Sequence, residues 1–355
     1  MAAVLAGACA LVSYAAPPPP TAVPLWAYGF VTPASPGEKA MMPGPPTHAL
    51  RPGENPAEQR TLRRIEGARG EYSLLQIRDG NEVVDWYPGD HPELTQIMRH
   101  GPARLREKGF GCAFCHMPNG KGRPENAPVA GLSVSYFVRQ IQDMREGLRA
   151  SAEPRKGNTI LMVALAQAMT DSEIRESAEY FAAVPYTPWI RVVETDRVPR
   201  SKIVTNMFVP IESELTEPIA GRVMEMPENA EATELLRHPH AGFVAYVPPG
   251  SVRKGEQLVS TGKPLVVDGK PAKNMTTACA SCHGADLLGV GEIPPIAGRS
   301  PSYIVRQLYD IQQGTRKSQQ SLLMLPVVAD LTNDDFVAIA AYVSSLSPVK
   351  AATVK

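Results

Sequence analysis

The stretch "GCAFCHMPNG", Gly111–Gly120, sets Cys112 and Cys115 three residues apart and puts His116 directly after the second. Far downstream "ACASCHGADL", Ala278–Leu287, repeats the arrangement with Cys279, Cys282 and His283. Only one of the chain's five cysteines lies outside these strings. Residues three apart project from one side of a helical turn, so both sulfurs of a pair reach the two vinyl groups on one edge of a haem. The next residue, histidine, then falls beneath the iron. C-x-x-C-H is the signature of covalent c-type haem attachment. A thioredoxin-like pair needs neither a histidine at that place nor a second copy. One zinc ion could take all four sulfurs, but each pair sits inside its own repeat.

The repeat is visible beyond the cysteines. "PVAGLSVSYFVRQIQDMREGLR" begins at Pro128 and "PIAGRSPSYIVRQLYDIQQGTR" at Pro295. Both 295 less 128 and 279 less 112 give 167, so two motifs share one register. The copies read as helical, ending at Gly147 and Gly314 and then closing with a helix behind "TDSE" from Thr170 and "TNDD" from Thr332. These capping threonines are 162 apart, so the first copy holds five extra residues between Arg149 and Met162.

The expected fold class is mainly α: two tandem cytochrome-like domains, residues 91–188 and 250–348, with an irregular Pro-rich extension over 17–90 and a long inter-domain linker over 189–249. That linker has β-prone pieces, "WIRVVETD" and "GFVAYV", and reads as an ordered connection or small lobe. Residues 349–355 form a tail. Residues 1–16 are an apolar run ending before "PPPP", too short for a span and lacking a basic leader. They read as the remnant of an export signal, with membrane association if the segment is retained. Cys9 recurs nowhere, and Ala6 stands where a lipoprotein signal usually has leucine. Lys plus Arg equals Asp plus Glu at 36 each, which argues against nucleic acid as a partner.

Among thirteen methionines the repeat selects Met162 and Met324, each eight residues before its capping threonine. Met117, Met144 and Met169 have no counterpart. Met162 and Met324 are therefore the candidates for the sixth ligand of each iron; histidine with methionine raises the reduction potential and leaves no open coordination position. His100, His238 and His240 lack partners in the other copy. Pro128 and Pro295 either stack on His116 and His283, offer them a carbonyl, or serve only as turn prolines. Arg139 and Arg306 recur with Gln140 and Gln307, suiting either buried propionates or a solvated helix face.

These strings, with "CASCHGADLLGVGEIPPIAG" and "LLMLPVVADLTNDDFVAIAAYVSSL", resemble the di-haem class I cytochromes c of the c4 type. The resemblance covers the two repeats. It implies two covalent haem c groups, held by Cys112, Cys115, Cys279 and Cys282 and ligated by His116, Met162, His283 and Met324. The first copy departs at Met117, where the family has glycine. The implied role is an exported, periplasmic electron carrier between redox protein partners. A second reading keeps that chemistry but makes the chain a subunit of a dehydrogenase or terminal oxidase complex. A third, a di-haem peroxidase or thiosulfate-oxidising enzyme, needs an open iron or a spare thiol, and only Cys9 is outside the attachment motifs.

Overall fold

In the repeats, apolar side chains at helical spacing and well-formed caps produce the helices. The computed structural model describes residues 22–40, 42, 44, 49–262 and 276–349; the export-signal reading of residues 1–16 lies outside them. Ser133 and Ser300 accept from the backbone N–H of Tyr136 and Tyr303, starting the long helices Val134–Arg145 and Pro301–Gln312. Each stops just before a glycine with positive φ, 71° at Gly147 and 69° at Gly314. The closing helices, Asp171–Ala183 and Asn333–Ser345, start in capping boxes built by Thr170 with Glu173 and by Thr332 with Asp335. Between them run Gly157–Ala168, which carries Met162, and Gln319–Val328, which carries Met324.

The two copies differ at their amino-terminal ends. In the second, helix Ser251–Thr261 crosses Asn333–Ser345 so closely that a Cβ on Gly255 would lie 1.9 Å from the Ala338 carbonyl oxygen. In the first, the corresponding place is held by the short helix Gln96–His100. Each copy has its own core, one centred on Phe137, Ile174, Ala178 and Phe181, the other on Leu258, Val305, Phe336 and Ala340.

The copies meet face to face about a pseudo-two-fold. Arg149 and Arg316, which are 167 residues apart, form an antiparallel bridge, with Ala150 N donating to Thr315 O at 2.9 Å and Lys317 N to Leu148 O at 2.8 Å. Arg149 donates to Gln140 and Gln307, both at 2.9 Å. Arg316 donates to Gln307 at 3.1 Å, Gln140 at 2.9 Å and the Tyr136 hydroxyl at 3.0 Å. The long linker thus leaves the copies in direct contact.

The linker is a lobe. Strands Ile190–Glu194 and Phe243–Val247 pair in parallel, as "WIRVVETD" and "GFVAYV" foreshadow, and Met224–Pro227 adds antiparallel to the second. Two antiparallel ribbons, Arg197–Pro199 with Thr216–Pro218 and Ser201–Val204 with Met207–Pro210, complete it. The extension is irregular over much of its length, yet it builds a small core from Ile65, Leu74, Ile77 and Trp86. Its turn Leu25–Tyr28 enters the second copy's core: Tyr28 is fully buried and its hydroxyl donates to Asp310 at 2.6 Å.

Candidate functional site

Both attachment strings form short helices, Cys112–His116 and Ala280–His283. Each reverses into an extended residue at positive φ: 60° at Met117 and 86° at Gly284. This backbone suits glycine, so the first copy places a buried methionine in a conformation the second gives to glycine.

The histidines are fixed alike. His116 Nδ1 donates to the Ala127 carbonyl at 2.8 Å, and His283 Nδ1 to the Pro294 carbonyl at 2.8 Å. A carbonyl only accepts, so the proton sits on Nδ1 and Nε2 keeps a free lone pair, as a metal ligand requires. Burial holds both imidazoles below their usual pKa, keeping them neutral. The acceptor is the residue before the proline in each copy, so the alternative in which the Pro128 and Pro295 carbonyls themselves take the imidazoles does not hold. The Pro128 carbonyl is taken instead by Arg299 of the second copy at 2.9 Å.

His116 opens onto a cavity lined by Cys112, Cys115, Leu132, Phe137 and Met162. Two sulfurs, a free imidazole nitrogen, a thioether and largely apolar walls converge there, and together they fit a haem. The second copy roofs this cavity with Tyr303, Arg306, Gln307 and Asp310. Met144 and Met169 line it too, so the cavity narrows the methionine choice less than the repeat does. In the second copy Cys279, Ile296, Leu308 and Met324 pack beside the core.

The other sequence candidates separate. His100 Nδ1 pairs with the Asn81 carbonyl at 2.5 Å; His238 and His240 stack on Tyr87; none lines the cavity. Arg139 pairs at the rim with Glu292 at 2.6 Å. Arg306 is buried and donates to the carbonyls of Ala27 at 2.6 Å and Pro124 at 2.8 Å. Arg149, Arg316 and Lys156 were not singled out as site residues, although the two arginines share the 167-residue register.

The cytochrome c family model matches residues 267–347. Cytochrome c-554(548) of Halomonas halodenitrificans is 33% identical over 79 residues, spanning 22% of this chain and 95% of that protein. The chain belongs to the cytochrome c family. Cytochrome c4 of Azotobacter vinelandii is 24% identical over 240 residues, 66% of this chain and 84% of that one. The cytochrome subunit of sulfide dehydrogenase from Chlorobaculum tepidum is 36% identical over 75 residues, 20% of this chain and 68% of that protein. This cytochrome is of the di-haem class I c4 type, with two covalent haem c groups, and is an electron carrier.

Proposed function

We propose that Met162 and Met324 complete the axial pairs of His116 and His283, and that single electrons pass between two exported redox proteins through the pair of sites. The observation that carries this is the shared cavity, where the His116 imidazole and the Met162 thioether line one apolar space. The haem supplies a one-electron iron couple. The Ala127 and Pro294 carbonyls hold the imidazoles in one tautomer, Phe137, Leu132 and Ile141 exclude water, and the arginine–glutamine ladder fixes the spacing of the copies. Capping on both sides leaves no position for substrate.

The second copy is the more accessible. Cys282 is exposed, and on the Met324 helix Leu322 and Leu323 are 52% and 76% exposed. On this reading partners approach there, while the first site is reached through the second. The resemblance to a sulfide dehydrogenase cytochrome subunit supports a place in such an oxidoreductase complex as the second reading. Thioether formation follows export, which supports the periplasm. No described helix is long and apolar enough to cross a membrane.

Haem content and the absorption of the oxidised protein test the reading. Cys112→Ala with Cys115→Ala is expected to take covalent haem from two per chain to one. Met162→Ala and Met324→Ala should each remove about half of the weak red-edge band of methionine-bound iron. A resting five-coordinate iron, or rapid turnover of peroxide by the reduced protein, would overturn it.

A further inference from the structure

The five extra residues of the first copy lie between Arg149 and Lys156. The Arg149–Arg316 bridge fixes the register on one side of the insertion, and the capping threonines fix it on the other. In the latter register Lys156 aligns with Ser318, since 318 less 156 is 162. Both stand at the N-cap of the methionine-bearing helix. At this place the first copy therefore carries an ammonium and the second a hydroxyl.

Lys156 is 2% exposed. It lines the cavity that His116 and Met162 share. Its Nζ donates to the Tyr28 carbonyl at 3.3 Å, while an ammonium has three N–H groups. Neither cavity carboxylate hydrogen-bonds Lys156: Asp310 accepts from the Tyr28 hydroxyl and from Ala152 N at 2.8 Å, and Glu125 accepts from Arg123 through Oε1 at 2.7 Å while its buried Oε2 has no hydrogen-bond partner. Burial, with Arg306 adding repulsion, pulls the Lys156 pKa well below its usual value against the weaker opposing pull of Glu125 and Asp310. A buried ammonium is retained cheaply only against a close anion.

The segment before it is built to keep it there. Arg155 is buried, pairs with Glu153 at 2.8 Å, donates to the Thr32 carbonyl at 2.9 Å and lies 4.1 Å over the Phe30 ring. The amino-terminal strap is thereby pinned over the insertion, and Lys156 has no route to solvent through a flexible loop.

We infer that Lys156 is a potential-setting residue for the first haem alone, giving its ammonium to a propionate carboxylate of that haem. This rests on attachment at Cys112 and Cys115. A fixed positive charge favours the iron state with one more electron, so Lys156 raises the first haem's reduction potential and Ser318 does nothing comparable for the second. Electrons arriving at the open second site are drawn toward the covered first one.

The test is a redox titration of the full-length holoprotein carrying Lys156→Met, a near-isosteric neutral change, beside Lys156→Arg. Haem content is measured in each. The step that Met324→His moves belongs to the second haem. Lys156→Met is expected to shift the other step about tenfold toward the oxidised form, about 59 mV for a one-electron couple, and Lys156→Arg to stay within about twofold of the parent. If neither step moves, if both move equally, or if only the second haem's step moves, the inference is overturned. Two haems per chain with an unmoved first step would refute it while leaving the proposed function standing. One haem per chain in the parent would refute both.

Discussion

Around His116 the cavity takes Ala150 and Lys156 from the stretch that is longer in the first copy and Tyr303, Arg306, Gln307 and Asp310 from the second copy, while the lobe's Arg237 lies 3.9 Å over the Phe114 ring of the attachment helix. Around His283 the attachment helix presents Cys282 to solvent, and the methionine helix bares Leu322, Leu323 and Leu325. Two copies with the same attachment strings, caps and histidine-to-carbonyl bonds have diverged in their surroundings. Duplication kept the attachment strings and their caps; the chain around them is what differs.

The sharpest way to separate the copies is to break one crossing. Gly255→Val should disrupt the second copy and spare the first, because its Cβ would overlap the Ala338 backbone. The expected cost exceeds the about 1–3 kcal/mol of ordinary overpacking. Denaturation followed at each haem would show the second transition moving alone; equal movement of both would mean the copies unfold as one unit.

Arg139 and Arg306 occupy the same repeat position, so they form a matched pair. Arg306→Leu strands the buried Ala27 and Pro124 carbonyls and should lower stability by about 1–3 kcal/mol. Arg139→Leu removes a rim pair with an exposed glutamate and should leave the midpoint of urea unfolding unchanged. Similar losses would show the two rims to be equally built.

The smallest effect concerns pH. Glu225 is buried, and its Oε2 accepts from the Ser300 hydroxyl at 2.8 Å, while its Oε1 has no hydrogen-bond partner. Burial raises its pKa. A group raised in the folded state stabilises fully below its unfolded value, about 4.3 for glutamate, and that stability is lost as pH rises through the folded value. Glu225→Gln should therefore gain on the parent as pH rises above about 4.3, the unfolded glutamate value, by ~1.4 kcal/mol for each unit by which the carboxyl is raised. Ser133, the equivalent cap in the first copy, takes no such carboxylate, so the gain should follow the second haem's transition. A pH-independent difference would mean that Glu225 stays ionised in the fold.

The amino-acid sequence determined the local chemistry. C-x-x-C-H, the 167-residue register, the glycine stops and the threonine caps depend on neighbours within a few residues, and each is legible because helical geometry fixes what such neighbours can reach. It even located the insertion, from the mismatch between two registers. The tertiary structure alone decided which carbonyl meets each imidazole, because Ala127 and Pro294 approach their histidines through a loop whose path no spacing rule gives. It also decided that Gln140, Gln307, Arg149 and Arg316 interlock, that the strap enters the second core through Tyr28, and that Lys156 is buried rather than solvated. The interlock, the strap and the burial of Lys156 depend on contacts between segments more than a hundred residues apart, where burial and pairing are set by how whole copies pack and not by the residues alongside.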